Sequence, residues 1–148
     1  MMTREEAVRF AEGWAAAWNA HDLDRILAHY SDDFEMTTPF IVKLMGEPSG
    51  TLKGKEEVGA YWRRALDRIP DLRFEVLDVF AGVGSVVLYS KAVMGLLGCE
   101  VFFFDGQGKV CKAAAHYSDN QRQGATGMEK VNLREKFARF PEADPERL

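Results

Sequence analysis

The chain has 148 residues, 47% of them apolar, with 19 Lys and Arg against 23 Asp and Glu and a formal net charge of −4. That length buries roughly 68–70% of the surface the unfolded chain exposes, so a single domain can fold without a disulfide or metal staple. The acidic balance and the lack of any Lys/Arg run beyond Arg63-Arg64 argue against nucleic acid or an anionic membrane surface as partner, and no apolar stretch approaches the roughly 18 residues of a membrane span, so a cytoplasmic protein is expected.

The first half reads as helical. Thr3 followed by Glu6 is a capping box, and Phe10, Trp14 and Trp18 recur every four residues beside Ala7, Ala11 and Ala15, which predicts a helix with one aromatic, buried face ending at Asn19-Ala20-His21. Asp22 can cap a second short helix whose stripe is Leu23, Ile26, Leu27 and Tyr30. After a turn at Ser31-Asp32-Asp33, Phe34 to Thr38 alternate as a short strand halted by Pro39. A loop punctuated by Gly46, Pro48, Gly50 and Gly54 leads to a third helix, about 55–69, that buries Val58, Trp62, Ala65 and Ile69 with Tyr61 at its edge and stops at Pro70.

The second half reads as a meander. Four β-rich runs, about 72–80, 85–94, 98–105 and 109–118, are separated by short glycine turns, and turns this short demand antiparallel neighbours. Helices first and strands after give an α+β domain over 1–119, with the helices on one face of a curved sheet. A polar tail follows over 120–148, in which Met128 to Phe140 have the spacing of one or two amphipathic turns. Cys99 and Cys111 fall on adjacent strands about three residues out of line, roughly 10 Å and too far for a bridge, so both are expected as free thiols.

The pattern Trp14 to Trp18, Asn19-Ala20-His21-Asp22-Leu23-Asp24, Tyr30-Ser-Asp-Asp-Phe34, Pro39, Gly54 before Glu56, Tyr61-Trp62, Pro70-Asp71-Leu72 and Asp105 to Val110 resembles SnoaL-like proteins. These belong to the nuclear transport factor 2-like superfamily, which includes ketosteroid isomerase. The resemblance implies a cone-shaped α+β barrel in which a strongly bent, mostly antiparallel sheet of the cystatin-like kind wraps a long helix and leaves a pocket. It implies a function among isomerases, cyclases, dehydratases, epoxide hydrolases and non-catalytic binding modules, and fold alone does not choose between them.

The isomerase mechanism needs a carboxylate base beside the carbonyl and donors where oxyanion charge develops. The position matching the isomerase base is Thr38, whose hydroxyl is no base near neutral pH, and the donor positions hold Trp14 and Trp62. The second isomerase donor, a carboxyl kept neutral by apolar surroundings, matches Glu100, which shares a strand face with Phe102 and Phe104. Glu100 is either an acid/base group in the pocket or a solvated residue at a strand end. The cyclase Asp on the last strand has become Ala115, and its inward set is read as Cys111, Ala113, Ala115 and Tyr117. Asp78 is the second catalytic candidate, because Phe74, Val76, Asp78 and Phe80 alternate, unless a bulge at Leu77-Asp78-Val79 turns it to solvent.

Trp14, Thr38, Tyr61, Trp62, Leu88, Ser90, Phe102 and Tyr117 are the expected pocket residues, for an apolar, polycyclic or aromatic small molecule. The competing reading is a non-catalytic binding or assembly module whose own tryptophans fill the pocket. His21, His29 and His116 lack metal-ligand spacing, with His116 read as an interface residue, and no dinucleotide, nucleotide or nucleophile-elbow motif is present, so neither metal nor cofactor is expected. An outward face carrying Leu77, Val79, Val87, Tyr89, Val93, Val101 and Phe103 predicts a homodimer.

Overall fold

The computed structural model describes residues 2–118; the expected tail turns at 128–140 lie outside the described residues. The long helix α1 spans Arg4–Asn19 and begins with the capping box, Thr3 and Glu6 each bonding the other's backbone N–H. A short α2 (Leu23–Leu27) starts at Asp22, whose carboxylate accepts from the Arg25 N–H at 3.2 Å. Strand β1 runs Tyr30–Thr37, α3 covers Pro39–Met45, β2 covers Thr51–Lys53 and α4 covers Lys55–Arg68. The meander follows as β3 (Glu75–Ala81), β4 (Ser85–Lys91), β5 (Leu97–Phe104) and β6 (Val110–Tyr117).

One six-stranded sheet results, in the order β2-β1-β6-β5-β4-β3. Among the described residues only the β1–β6 pair is parallel; the others are antiparallel, and β3 to β6 follow one another as a meander. Helices α1 and α4 lie against the sheet's inner face, with Trp14 (1% exposed) and Trp62 (3%) both buried there. No helix among the described residues is long and apolar enough to cross a membrane.

The structure departs from the sequence reading in four places. Pro39 ends the strand but opens α3: Thr38 caps it, and proline at a first helical position gives up an N–H that had no helical partner. The expected loop therefore holds a helix and the short β2. Tyr30 belongs to β1, where an irregularity before Glu35 absorbs the Ser31-Asp32-Asp33 segment. The run from 72 enters the sheet only at Glu75, and the run from 85 ends at Lys91, giving way to a turn at Val93–Gly95 with Met94 at φ +55°.

The fourth concerns Asp78: of the two alternatives, the bulge in β3 is the one present. Val76 pairs with Ser90 and Asp78 with Tyr89, so one residue of β3 is left over and the alternation reverses. Asp78 is consequently exposed, with its carboxylate on the Val79 N–H, and is not in the interior; Val79 points inward, and Phe80 is 52% exposed on the outer face. Val79 and Val93 thus leave the predicted outer apolar set, Leu77 (46%) and Phe103 (43%) remain on the surface, and Phe80, expected inside, joins them. A register shift between Phe103 and Phe104 likewise leaves Cys111 half-buried and makes Val110 the fully buried residue at that end of β6. Cys99 and Cys111 are both free.

Asn19, read only as a helix terminus, fastens the chain before β3 to the helix. Its amide donates to the Phe74 carbonyl oxygen at 3.0 Å and accepts from the Phe74 N–H at 2.8 Å, while His21 Nε2 donates to the Leu72 carbonyl oxygen at 2.7 Å. These bonds hold Phe74 against Trp14 and Trp18. Asn19→Ala leaves a half-buried N–H and carbonyl without their partner, so it should cost about 1–3 kcal/mol. That loss should appear as a lower urea midpoint at unchanged slope; an unchanged midpoint would contradict the role.

Candidate functional site

Between α1, α3, α4 and the inner face of the sheet lies a small cavity that opens to solvent. Trp14 and Trp18 of α1 face Tyr61, Trp62 and Ala65 of α4 across it, and Phe40 and Leu44 of α3 form a third wall. Ile69, Leu72, Phe74 and Val93 rim it, and Met36, Glu100 and Tyr117 enter from the strands. Seven of these fourteen residues are aromatic and Glu100 is the sole charged type among them, so the polar side-chain groups are one carboxyl, two phenols and the indole N–H groups.

Period-two alternation puts Glu100 on the inner face of β5. Its neighbours across the sheet are Leu88 on β4 and Ala115 on β6, neither of which has a side-chain donor. Among the described residues Glu100 has no hydrogen-bond or ion-pair partner, and burial alone pushes its pKa from 4.5 up to about 8. The residue is half-buried because its carboxyl opens on the cavity. Gly98 makes room beside it: a Cβ there would stand 3.3 Å from the Tyr117 ring and from the His116 carbonyl oxygen.

Three phenols surround this carboxyl. Burial, then the charge of Glu100, pushes the Tyr30 and Tyr61 hydroxyls well above their usual range, and Tyr117 is raised by burial, Glu100 and Tyr61 in that order. Each has a compensating partner. Trp14 Nε1 donates to Tyr30 Oη at 3.0 Å, and the Thr38 hydroxyl lies against Tyr61 and Tyr117 and draws both back down as a hydrogen-bond partner. Trp18 Nε1 is buried without any partner, an unused donor in the cavity wall.

Of the residues proposed from sequence, the cavity brings together Trp14, Tyr61, Trp62, Glu100 and Tyr117. Thr38 sits behind the two phenols, and Ser90 lines a smaller recess that also borders Glu100. Leu88 and Phe102 are packed into the core and do not line the cavity; Phe102 packs edge-on against Phe10 and Trp14 of α1. Asp78 is on the opposite face. The sequence reading missed Trp18 as a wall, although it follows Trp14 by one helical turn, and missed Phe40 and Leu44 because their helix was taken as loop. His21, His29 and His116 each bond a backbone carbonyl, at Leu72, Arg25 and Cys99, and no group of three or more potential metal ligands occurs among the described residues.

Residues 11–118 match the SnoaL-like domain family. The chain is 54% identical to a SnoaL-like protein of unknown function from Burkholderia thailandensis, over 78% of this chain and 97% of that one, with a TM-score of 0.76. An NTF2-like protein of unknown function from Burkholderia pseudomallei (21% identity, 76% and 90% coverage, TM-score 0.62) and a cystatin-like-fold protein from Methylobium petroleophilum (16%, 85% and 84%, 0.63) share the fold. No functionally curated protein shows significant similarity to the chain.

The raised Glu100 has a consequence for stability. A folded state that keeps a proton the unfolded chain gives up above pH 4.5 is fully stable below that value, loses stability as pH rises, and levels off above about pH 8. Glu100→Gln removes this loss, so the variant should exceed the wild type by about 2–3 kcal/mol at pH 9, after discounting for residual solvent, and by little at pH 4. Denaturant titrations at the two pH values measure it; an equal difference at both would contradict the assignment.

Proposed function

The chain belongs to the SnoaL-like domain family, and on that premise we propose that it binds a small, largely apolar, ring-bearing molecule in the helix-lined cavity and exchanges a proton with it at Glu100. The observation that carries this reading is the carboxyl itself. A core evolved only for packing has no use for an unpartnered Glu among seven rings, since an apolar residue of similar volume would avoid the cost of burying it. Below about pH 8 Glu100 is neutral and can donate to a ligand oxygen; above it the carboxylate can accept a proton. The aromatic walls supply contact area and orient rings.

Thr38 cannot serve as an isomerase base. Its hydroxyl accepts from the Phe40 N–H at 3.3 Å and lies against the two phenols, and Ala115 offers nothing in place of a cyclase carboxylate. Proton exchange in this cavity therefore rests on one group, which favours a single proton transfer over a relay between two carboxylates. Tyr61 and Tyr117 stay neutral in the working range and act as donors that hold a ligand oxygen near Glu100.

Two readouts test the reading with 2-tetralone, a bicyclic ketone with exchangeable hydrogens beside its carbonyl. Quenching of indole fluorescence reports entry, and Ala65→Phe, which narrows the cavity from α4, should weaken it at least tenfold. Deuterium uptake beside the carbonyl in heavy water reports proton transfer, and Glu100→Gln should lower it by about 10²-fold or more. Absence of quenching, or quenching indifferent to Ala65→Phe, would refute the binding site. Binding with equal uptake in wild type and Glu100→Gln would refute the chemistry and leave the non-catalytic reading standing.

A further inference from the structure

We propose that the ligand of this cavity is an organic cation, a tertiary or quaternary ammonium with an apolar shell, whose positive charge pairs with Glu100 inside the aromatic walls. The inference rests on the cavity being a ligand site and adds the class of ligand it takes. Glu100 has no partner among the described residues, and the wall holds no Lys, Arg or His that could supply a positive charge. The phenols that surround it, Tyr30, Tyr61 and Tyr117, are neutral and bring no positive charge. A group able to carry negative charge therefore has no counter-charge in a site otherwise built of rings.

Ring faces carry negative electrostatic potential and attract cations, most strongly for indole. An anionic ligand would meet both that potential and Glu100, with no cation to offset either. A neutral ligand of the same shape gains from the rings but gives the carboxylate nothing. A primary ammonium brings three N–H donors, and the wall offers too few free acceptors to satisfy them once they leave water. A nitrogen whose valences are filled by carbon brings none, is weakly hydrated, and presents methyl groups to the rings while its charge meets Glu100.

Binding such a cation changes the state of the acid/base group. In the free protein at pH 7 Glu100 is mostly protonated, because burial raises its midpoint to about 8. A bound cation favours the carboxylate, so the proton leaves as the ligand enters. The titratable groups facing Glu100 are Tyr30 from β1, Tyr61 from α4 and Tyr117 from β6, all of which stay neutral from pH 6 to 9. His116 is on the outer face with its Nδ1 on the Cys99 carbonyl oxygen, so the released proton reports Glu100. The ligand thereby creates the basic form of the group it meets.

Choline and 3,3-dimethylbutan-1-ol differ only in charged nitrogen against carbon and make the test. Calorimetry at pH 7 in buffers of different ionisation enthalpy should show choline binding with net proton release, and its affinity should rise severalfold by pH 9. Glu100→Gln should weaken choline at least tenfold and abolish the release; the wild-type proton count stands even if that variant misfolds. Choline binding without proton release, or the neutral alcohol binding as tightly as choline, would overturn the cation assignment and leave the ligand cavity intact. Failure of both probes together with 2-tetralone would overturn the cavity as a ligand site and the cation with it.

Discussion

The packing of three indoles between two helices and a curved sheet is the constraint on which the remaining structure depends. Trp18 meets Trp62 edge-on with ring centres 5.2 Å apart, Trp14 lies 4.7 Å from Phe74, and Trp62 lies 4.9 Å from Tyr30, so α1, α4, β1 and the approach to β3 are joined through one aromatic cluster. Groups this large and rigid do not close the space between the layers completely. What they leave open is the cavity, and its walls are the same rings that hold the helices in place. Stability and site are thus two aspects of a single packing arrangement, which is why Asn19, far from the carboxyl, still matters: it secures Phe74, and Phe74 backs Trp14 and Trp18.

Within that frame the electrostatics are set by subtraction. Leu88 and Ala115 flank Glu100 where donors could have stood, Gly98 admits the Tyr117 ring, and Thr38 lies against Tyr61 and Tyr117. The carboxyl is left with rings and open space. The fold accepts this because neutralisation is available: a carboxyl that keeps its proton costs far less to hold away from water than a charged one. A group in that condition responds to whatever enters, donating to an oxygen or surrendering its proton to a cation. A two-carboxylate site would be fixed in its roles.

Much of this arrangement was legible from residue pattern. The four-residue spacing of Phe10, Trp14 and Trp18 placed an aromatic stripe on the first helix, and the alternation of Glu100, Phe102 and Phe104 put the carboxyl on the inner face, because both periodicities are properties of single elements. What was not legible depends on how elements meet. The β3 bulge reverses alternation through one unpaired residue, and nothing in Leu77-Asp78-Val79 distinguishes a bulged from a regular pairing until β4 supplies the register. The helix after Pro39 was concealed by the same residue that ends the strand, since proline both stops a ladder and starts a helix. Asn19's two bonds to Phe74 join residues 55 apart, beyond any local signal. Leu88 and Phe102 carry the right parity for the cavity, but both are packed into the core, Phe102 against Phe10 and Trp14.

The charge state of one carboxyl therefore carries the account. It can be read directly from the side-chain carboxyl carbon of Glu100 by ¹³C NMR in protein labelled at glutamate, with Glu100→Gln identifying the signal. A resonance that titrates with a midpoint near pH 8, well apart from the other glutamates, is the predicted result. A midpoint near 4.5, with the surface glutamates, would mean that the carboxyl is solvated or already paired, and would contradict both the acid/base role and the unfilled counter-charge.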